Sequence, residues 1–474
     1  MSDYDKLYIG GEWVEPHGTG SIEVISPHSE EVIGRVPDAS PADMDRAVTA
    51  ARQAFDDGPW PRMTPEERAE GIKRLSGALQ SRAQDIADTI SAQNGSPKSW
   101  SLMGQVFSAT MVLDTYAGLA SGYPWEDQRT GALGSPVIVR RAPVGVAAGI
   151  IPWNVPLFIC ALKLGPAMAA GCPIVLKPAP ETPLDAYLLA EAVDEADLPP
   201  GVVNIVAAGR ETGEHLIRHP GVDKVSFTGS TAVGKHIGEV CGGMLKRVTL
   251  ELGGKSAAIV LDDANLDEAM LGNLVMSGLM NNGQVCGAQS RVLVSTKRYA
   301  DVVDALGAAV GALKVGDPLD DTVQVGPLVA ERQRTRVEGY LEAGKAAGAR
   351  PVVGGGRPES LPTGWYIEPT VFADVRNDMK IAQEEIFGPV LSVIPYEDEK
   401  DAVAIANDSD YGLCGSVWTA DPEHGAAVAA QVRTGVVAVN SSLILDFNAP
   451  FGGFKQSGIG RELGPEGIGP YTEY

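Results

Sequence analysis

From residue 144 onward the chain repeats a single rhythm: a short, continuously apolar strand, a turn, then a helical stretch. Strands are expected at 144–151, 174–176, 202–206, 224–227 and 248–250, with helices between them, as at 186–196 and 231–241. Strands apolar on both faces suit a parallel sheet covered by helices on both sides, which restricts the fold class to α/β. The pair Gly253-Gly254 interrupts the series, and 257–261 starts a new unit. That unit carries strands at 291–295, 390–395, 415–418 and 436–439, with a helix to about 313 and another from about 330. Two parallel-sheet α/β domains follow, with a boundary near Gly253-Gly254.

The first 143 residues are organised differently. Leu7-Tyr8-Ile9 and Glu12-Trp13-Val14 flank Gly10-Gly11, a hairpin signal. Met44, Ala47, Val48, Ala51, Ala54 and Phe55 form one apolar helical face. Thr64-Pro65-Glu66-Glu67 has the form of a capping box with proline at the first helical position. Pro124, Gly131, Gly134 and Pro136 punctuate 122–143, which ends in Val137-Ile138-Val139. This reads as a β hairpin arm that either pairs with another subunit or caps its own sheet.

Composition narrows the function. The net charge of −23 is spread along the chain and would repel a phosphate backbone, so nucleic acid is not an expected partner. The five cysteines are odd in number and form no C-x-x-C pair, so neither a disulfide framework nor a metal site is expected. Residues 1–6 lack the basic-then-apolar form of a signal peptide, and no apolar run approaches bilayer length. A cytoplasmic location without a membrane partner is the expectation.

Several turns carry chemistry. Asn281-Asn282-Gly283-Gln284-Val285-Cys286-Gly287 places one cysteine in a polar, glycine-rich turn. It is either a nucleophile or buried packing. Glu251 closes the strand 248–250 beside two glycines, as a general base or as a structural carboxylate. In Ile151-Pro152-Trp153-Asn154-Val155-Pro156 the prolines fix the backbone around Asn154, whose amide can donate to an oxyanion or cap a helix. The turn Thr228-Gly229-Ser230-Thr231 opens a helix after a strand, which suits a pyrophosphate or is simply a capped turn. It does not have the G-x-G-x-x-G spacing. Lys177 ends another strand, where it reaches ribose or phosphate, or is an ordinary surface lysine.

Together these segments resemble the aldehyde dehydrogenase superfamily. The matches are Pro152-Trp153-Asn154, Leu176-Lys177-Pro178, Phe227-Thr228-Gly229-Ser230, Leu250-Glu251-Leu252-Gly253-Gly254-Lys255, Gly283-Gln284-Val285-Cys286, Glu384-Glu385-Ile386-Phe387-Gly388-Pro389 and Pro450-Phe451-Gly452-Gly453-Phe454-Lys455-Gln456-Ser457-Gly458, in the family's order. The resemblance implies a Rossmann-like dinucleotide-binding domain (1–121 and 144–252) and a catalytic domain (253–455). Residues 122–143 and 456–474 would form an oligomerisation arm and C-terminal segment, with the family's final strand beginning about where the sequence stops. It implies that Cys286 attacks the aldehyde to give a thiohemiacetal, that Asn154 and the Cys286 N–H hold the oxyanion, and that hydride loss leaves a thioester. Glu251 then activates water, with Lys163 and Glu462 on a proton path. Ile151, Trp153, Lys177, Gly229, Ser230, Leu252, Glu385 and Phe387 would bind the cofactor. One departure is Pro180, where many NAD-preferring relatives carry a ribose-binding glutamate; NAD is favoured and NADP also admitted.

The positions matching the substrate tunnel are Val155, Ile159, Leu162, Leu445 and Phe451. They hold no arginine for a second carboxylate, and Leu162 stands where a quaternary-ammonium cage often has tryptophan. Aliphatic, terpenoid or aromatic aldehydes are therefore favoured. A CoA-acylating relative commonly lacks the glutamate at 251, and a non-catalytic protein of this fold would lose nucleophile or base, so both readings rank behind hydrolytic oxidation. A homodimer or homotetramer is expected.

Overall fold

The computed structural model describes residues 2–474. Two mixed sheets dominate it. In the first, the strands Arg247–Glu251, Lys224–Thr228, Ala147–Ile150, Ile174–Lys177 and Val203–Ile205 lie side by side and parallel. The expectation of an all-parallel sheet needs correction at the edges. The hairpin Leu7–Ile9 and Glu12–Val14 adds antiparallel strands beyond Val203–Ile205, and Gly458–Ile459 adds one beyond Arg247–Glu251. Short antiparallel strands cover what would otherwise be open edges of backbone N–H and C=O groups.

Ala147–Ile150 is central: the chain builds outward from it first on one side, through Ile174–Lys177, then on the other, through Lys224–Thr228. This makes the carboxyl end of Ala147–Ile150 a topological switch point, where open α/β sheets bind ligands. Helices Pro41–Asp56 and Pro65–Gln80 each start with a capping box and proline, the second where Thr64-Pro65-Glu66-Glu67 predicts it. The helix Pro156–Ala170 is buried along its whole length, which is why it reads as a continuous apolar run.

The second sheet has Ala257–Val260 at its centre, between Arg291–Ser295 and Cys414–Trp418. Val390–Tyr396, Thr370–Ala373 and Val436–Val439 continue it in parallel, and Arg350–Val353 closes one edge antiparallel. The arm is a two-stranded hairpin, Glu126–Thr130 with Pro136–Arg140. The segment 456–474 buries Leu463, Ile468 and Tyr471 in the core around helix Pro156–Ala170, and its Thr472–Glu473 pairs with Ala142–Pro143 at the base of the arm.

Candidate active site

Cys286 lies just before Arg291–Ser295, at the amino ends of the second sheet's strands, where it meets the carboxyl ends of the first. The loop before it is wound tightly: Asn281, Asn282 and Gly283 all have left-handed φ (52°, 60° and 71°). Asparagine tolerates that region better than other side chains, and glycine adopts it freely. The asparagine amides then lock the loop. Asn282 donates to the carbonyls of Gly95 (2.8 Å) and Pro327 (2.9 Å) and accepts from the Gly326 N–H (2.7 Å). Asn281 donates to the Asn154 carbonyl at 2.9 Å and accepts from the Ser96 hydroxyl. Asn154 Nδ2 in turn donates to the Gln284 carbonyl at 2.8 Å. The amide predicted to hold an oxyanion is thus pinned beside the cysteine loop, with its other N–H left over.

Cys286 is half-buried at a cavity of about 850 Å³. Loss of water pushes its thiol up to about 12, helped by the nearby carboxylates Glu251 and Glu385. Glu251 lies behind the cavity wall, buried, with neither oxygen hydrogen-bonded. Burial and then Glu462 raise its pKa well above the ordinary carboxylate value, against the opposing pull of Lys163 and Arg461. Lys163 Nζ donates to Glu462 Oε1 and Thr228 Oγ1, both at 2.8 Å, in full burial.

The predicted cofactor residues gather at the switch point. Trp153, Gly229, Ser230, Leu252, Glu385 and Phe387 line the cavity, whereas Ile151 and Lys177 do not. Phe387 takes a left-handed φ of 61°, rare and strained for a bulky residue, and its ring stands edge-on to Trp153 with centroids 5.3 Å apart. Glu385 accepts the Gly254 N–H at 3.0 Å, and burial raises its carboxyl to about 7. Ser230 caps the helix Thr231–Met244.

The other arm of the cavity is apolar. Val155, Ile159, Leu162, Leu445 and Phe451 all line it. Sequence reading missed half of this wall. Trp100, Met103, Gly104, Phe107 and Met111 come from a helix running through a π-helical stretch, Ser101–Phe107, and Phe158, Ile444 and Phe447 add to it. The four-residue spacing of Met103, Phe107 and Met111 was a usable signal, since all three are exposed rather than core.

This combination of nucleotide-type turns, one cysteine and an apolar arm is matched by known proteins. The profile of the Aldehyde dehydrogenase family matches residues 13–474. The chain belongs to this family. The geranial dehydrogenase of Castellaniella defragrans is 49% identical over 474 residues, covering 100% of this chain and 98% of that one. The crystal structure of a Mycobacterium tuberculosis aldehyde dehydrogenase complexed with NAD+ superposes with a TM-score of 0.97 at 50% identity, covering 100% and 97%. A mutant of aldehyde dehydrogenase C from Pseudomonas syringae, complexed with NAD+ and octanal, gives 0.95 at 40%, covering 99% and 95%. The protein is an NAD(P)-dependent aldehyde dehydrogenase, an oxidoreductase.

For this aldehyde dehydrogenase the residues at the switch point fit a dinucleotide. A Cβ at Gly229 would stand 2.5 Å from the Phe227 ring, so the turn keeps a bare backbone. Buried Lys177 has one long hydrogen bond, to the Pro178 carbonyl at 3.3 Å, leaving ammonium donors free for an anion or hydroxyls. At Pro180 the ribose-binding carboxylate is absent, and the adjacent Glu181 turns to Arg332 at 2.6 Å instead. One cluster of metal-ligating types, Asp45, His215 and His219, lies outside the cleft. There the Gly221 N–H donates to His219 Nδ1 at 3.0 Å, which keeps the proton on Nε2 and makes the ring a donor to Asp45 rather than a ligand. Among the described residues no helix is long and apolar enough to cross a membrane.

Proposed function

We propose that this aldehyde dehydrogenase oxidises apolar aldehydes of terpenoid or medium-chain type to their acids, with Cys286 as nucleophile and Glu251 as the base of hydrolysis. The observation that carries this reading is the predominantly apolar arm of the cavity that Cys286 also lines. The 49% identical geranial dehydrogenase and the octanal-bound structure support the same substrate class. The Cys286 thiol gives its proton to Glu251 or to a water linked to it, Sγ adds to the carbonyl carbon, and the free N–H of the Asn154 amide bonds the resulting oxyanion. Trp153, Lys177, Gly229, Ser230, Leu252, Glu385 and Phe387 would hold the dinucleotide, with Ile151 behind them. Bound there, the nicotinamide supplies the hydride acceptor that makes thioester formation possible. Glu251, its carboxyl raised above the ordinary value by burial, takes a proton from water, and the hydroxide releases the acid. Lys163 and Glu462 carry that proton onward.

The same reading takes 1–121 with 144–252 as cofactor domain, 253–455 as catalytic domain and the exposed hairpin as a subunit contact in a homodimer or homotetramer. A kinetic panel with NAD+ and NADP+ tests the substrate. Geranial, octanal and benzaldehyde should exceed betaine aldehyde and succinate semialdehyde in kcat/KM; the reverse order would refute the proposal. Glu251→Gln should give one equivalent of reduced cofactor, accumulate thioester and lower turnover by about 10²–10⁴-fold. Undiminished turnover would remove Glu251 from the role and return attention to CoA as acyl acceptor.

A further inference from the structure

A polar seam crosses the first sheet, and one of its charged groups has no part in the chemistry above. Alternation puts Lys224, Ser226 and Thr228 on one face of Lys224–Thr228. The parallel register sets Thr249 beside Ser226 and Glu251 beside Thr228. Lys163 bridges Thr228 to Glu462, and the Ser226 hydroxyl donates to the same Glu462 oxygen at 3.3 Å. At the far end, away from the cleft, fully buried Lys224 donates from Nζ to Thr249 Oγ1 at 2.7 Å. Its ammonium stands 4.6 Å from the centroid of the Tyr471 ring. The Tyr471 hydroxyl is buried beside Ser226 without a well-formed hydrogen bond.

The seam therefore holds two lysines and two glutamates in a strip closed to water. With all four ionised its charge is balanced. Taking a proton onto Glu251 would leave an uncompensated buried positive charge, which is costly in a low dielectric. Lys224 is the group built to answer it. Burial lowers its amine to about 7; Lys163 pushes the same way, and Glu462, Cys172 and Cys241 oppose. Thr249 and the Tyr471 face hold it in place.

We infer that Lys224 is a positioning residue for thioester hydrolysis, its amine balancing the charge of the Glu251, Lys163 and Glu462 group from the opposite end of the sheet. This rests on Glu251 being the base. When water gives a proton to Glu251, an O–H bond breaks in water and one forms on the carboxyl. The seam resets when that proton leaves Glu251, and the buried Lys224 cation favours the release by repelling the positive charge that the proton adds.

The test is the pH profile of thioester decay, followed by rapid quench and mass spectrometry after mixing enzyme, NAD+ and octanal. Removing the cation leaves the seam net negative and raises the proton affinity of its carboxyls, above all the unpaired Glu251. Lys224→Met should move the acid limb upward by about one pH unit, with KM for both substrates unchanged. Lys224→Arg, which keeps the charge, should leave it near the parent's. Thr249→Val removes only the hydrogen bond and should move the limb the same way by less; it decides the matter if Lys224→Met does not fold. Limbs that coincide with the parent's in the folded Lys224→Met and in Thr249→Val overturn the inference. If Glu251→Gln accumulates thioester beside such unmoved limbs, this inference alone fails; if Glu251→Gln hydrolyses normally, the Glu251 assignment fails and takes this inference with it.

Discussion

Cys286 shows how far a single residue's chemistry is set by its surroundings. In water its thiol would be a few per cent ionised at neutral pH; in the cavity, desolvation and two carboxylates push it up to about 12. The thiol of the cofactor-free protein is therefore almost wholly protonated at neutrality, and the thiolate must be made when it is needed. Carbamidomethylation of Cys286 by iodoacetamide should accelerate about tenfold per pH unit between roughly pH 7 and 10, read by intact mass. A rate already flat at pH 7 would mean a preformed thiolate. Cys286→Ala should abolish turnover altogether. Of the five cysteines Cys286 lines the cavity and the other four are buried, a choice that its polar, glycine-rich turn by itself had left open. Its partners were legible only through resemblance, since Asn154 and Glu251 reach it from distant parts of the chain.

At the scale of elements, the four-residue spacing of Met103, Phe107 and Met111 marks an apolar face, but the wider turn of the π-helical stretch Ser101–Phe107 cannot be read from it. A helix with a wider turn shifts its side chains out of the 3.6-residue pattern, and such turns occur often at functional sites. Here it brings Trp100, Met103, Gly104 and Phe107 onto one wall of the cavity. The indole of Trp100 lies flat over Gly104, where a Cβ would stand 2.6 Å from its ring. Gly104→Val should drive the indole into the apolar arm. The expected result is a loss of about 10–100-fold in kcat/KM for geranial against a much smaller loss for acetaldehyde. Equal losses for both would show that Trp100 does not shape the tunnel. Most of the parallel strands, by contrast, were readable, because a buried strand needs an unbroken apolar run, though Thr370–Ala373 was not singled out. Arg291–Ser295 and Val436–Val439 fall where expected.

Across the whole molecule, the C-terminal segment is tied into the cofactor domain by the buried pair of Lys163 and Glu462. Lys163→Met would leave Glu462 without its cation in a closed interior and should cost about 3–5 kcal/mol in urea unfolding. A change below about 1 kcal/mol would mean that water reaches the pair, as in a surface ion pair. The arm argues for assembly. Its hairpin exposes Leu133 at 98% and Ile138 at 61%, an apolar surface that a lone subunit would leave in water. Deleting residues 126–140 should lower the oligomer order seen by light scattering; an unchanged mass would place the subunit contact elsewhere.

The amino-acid sequence alone determined the α/β class, the two domains and the order of the motif-bearing turns, because these depend on local hydrophobic period and on residues adjacent in the chain. Tertiary structure decided the rest. Only the meeting of two sheets brings Cys286 near Glu251, since the 34 residues of intervening chain carry no pattern that fixes their separation. Packing also made the tunnel wall from an early helix and drew the C-terminal segment into the cofactor domain. It buried Lys224 at the far end of a seam that begins at Glu251, a relation created by strand register and burial rather than by any local signal.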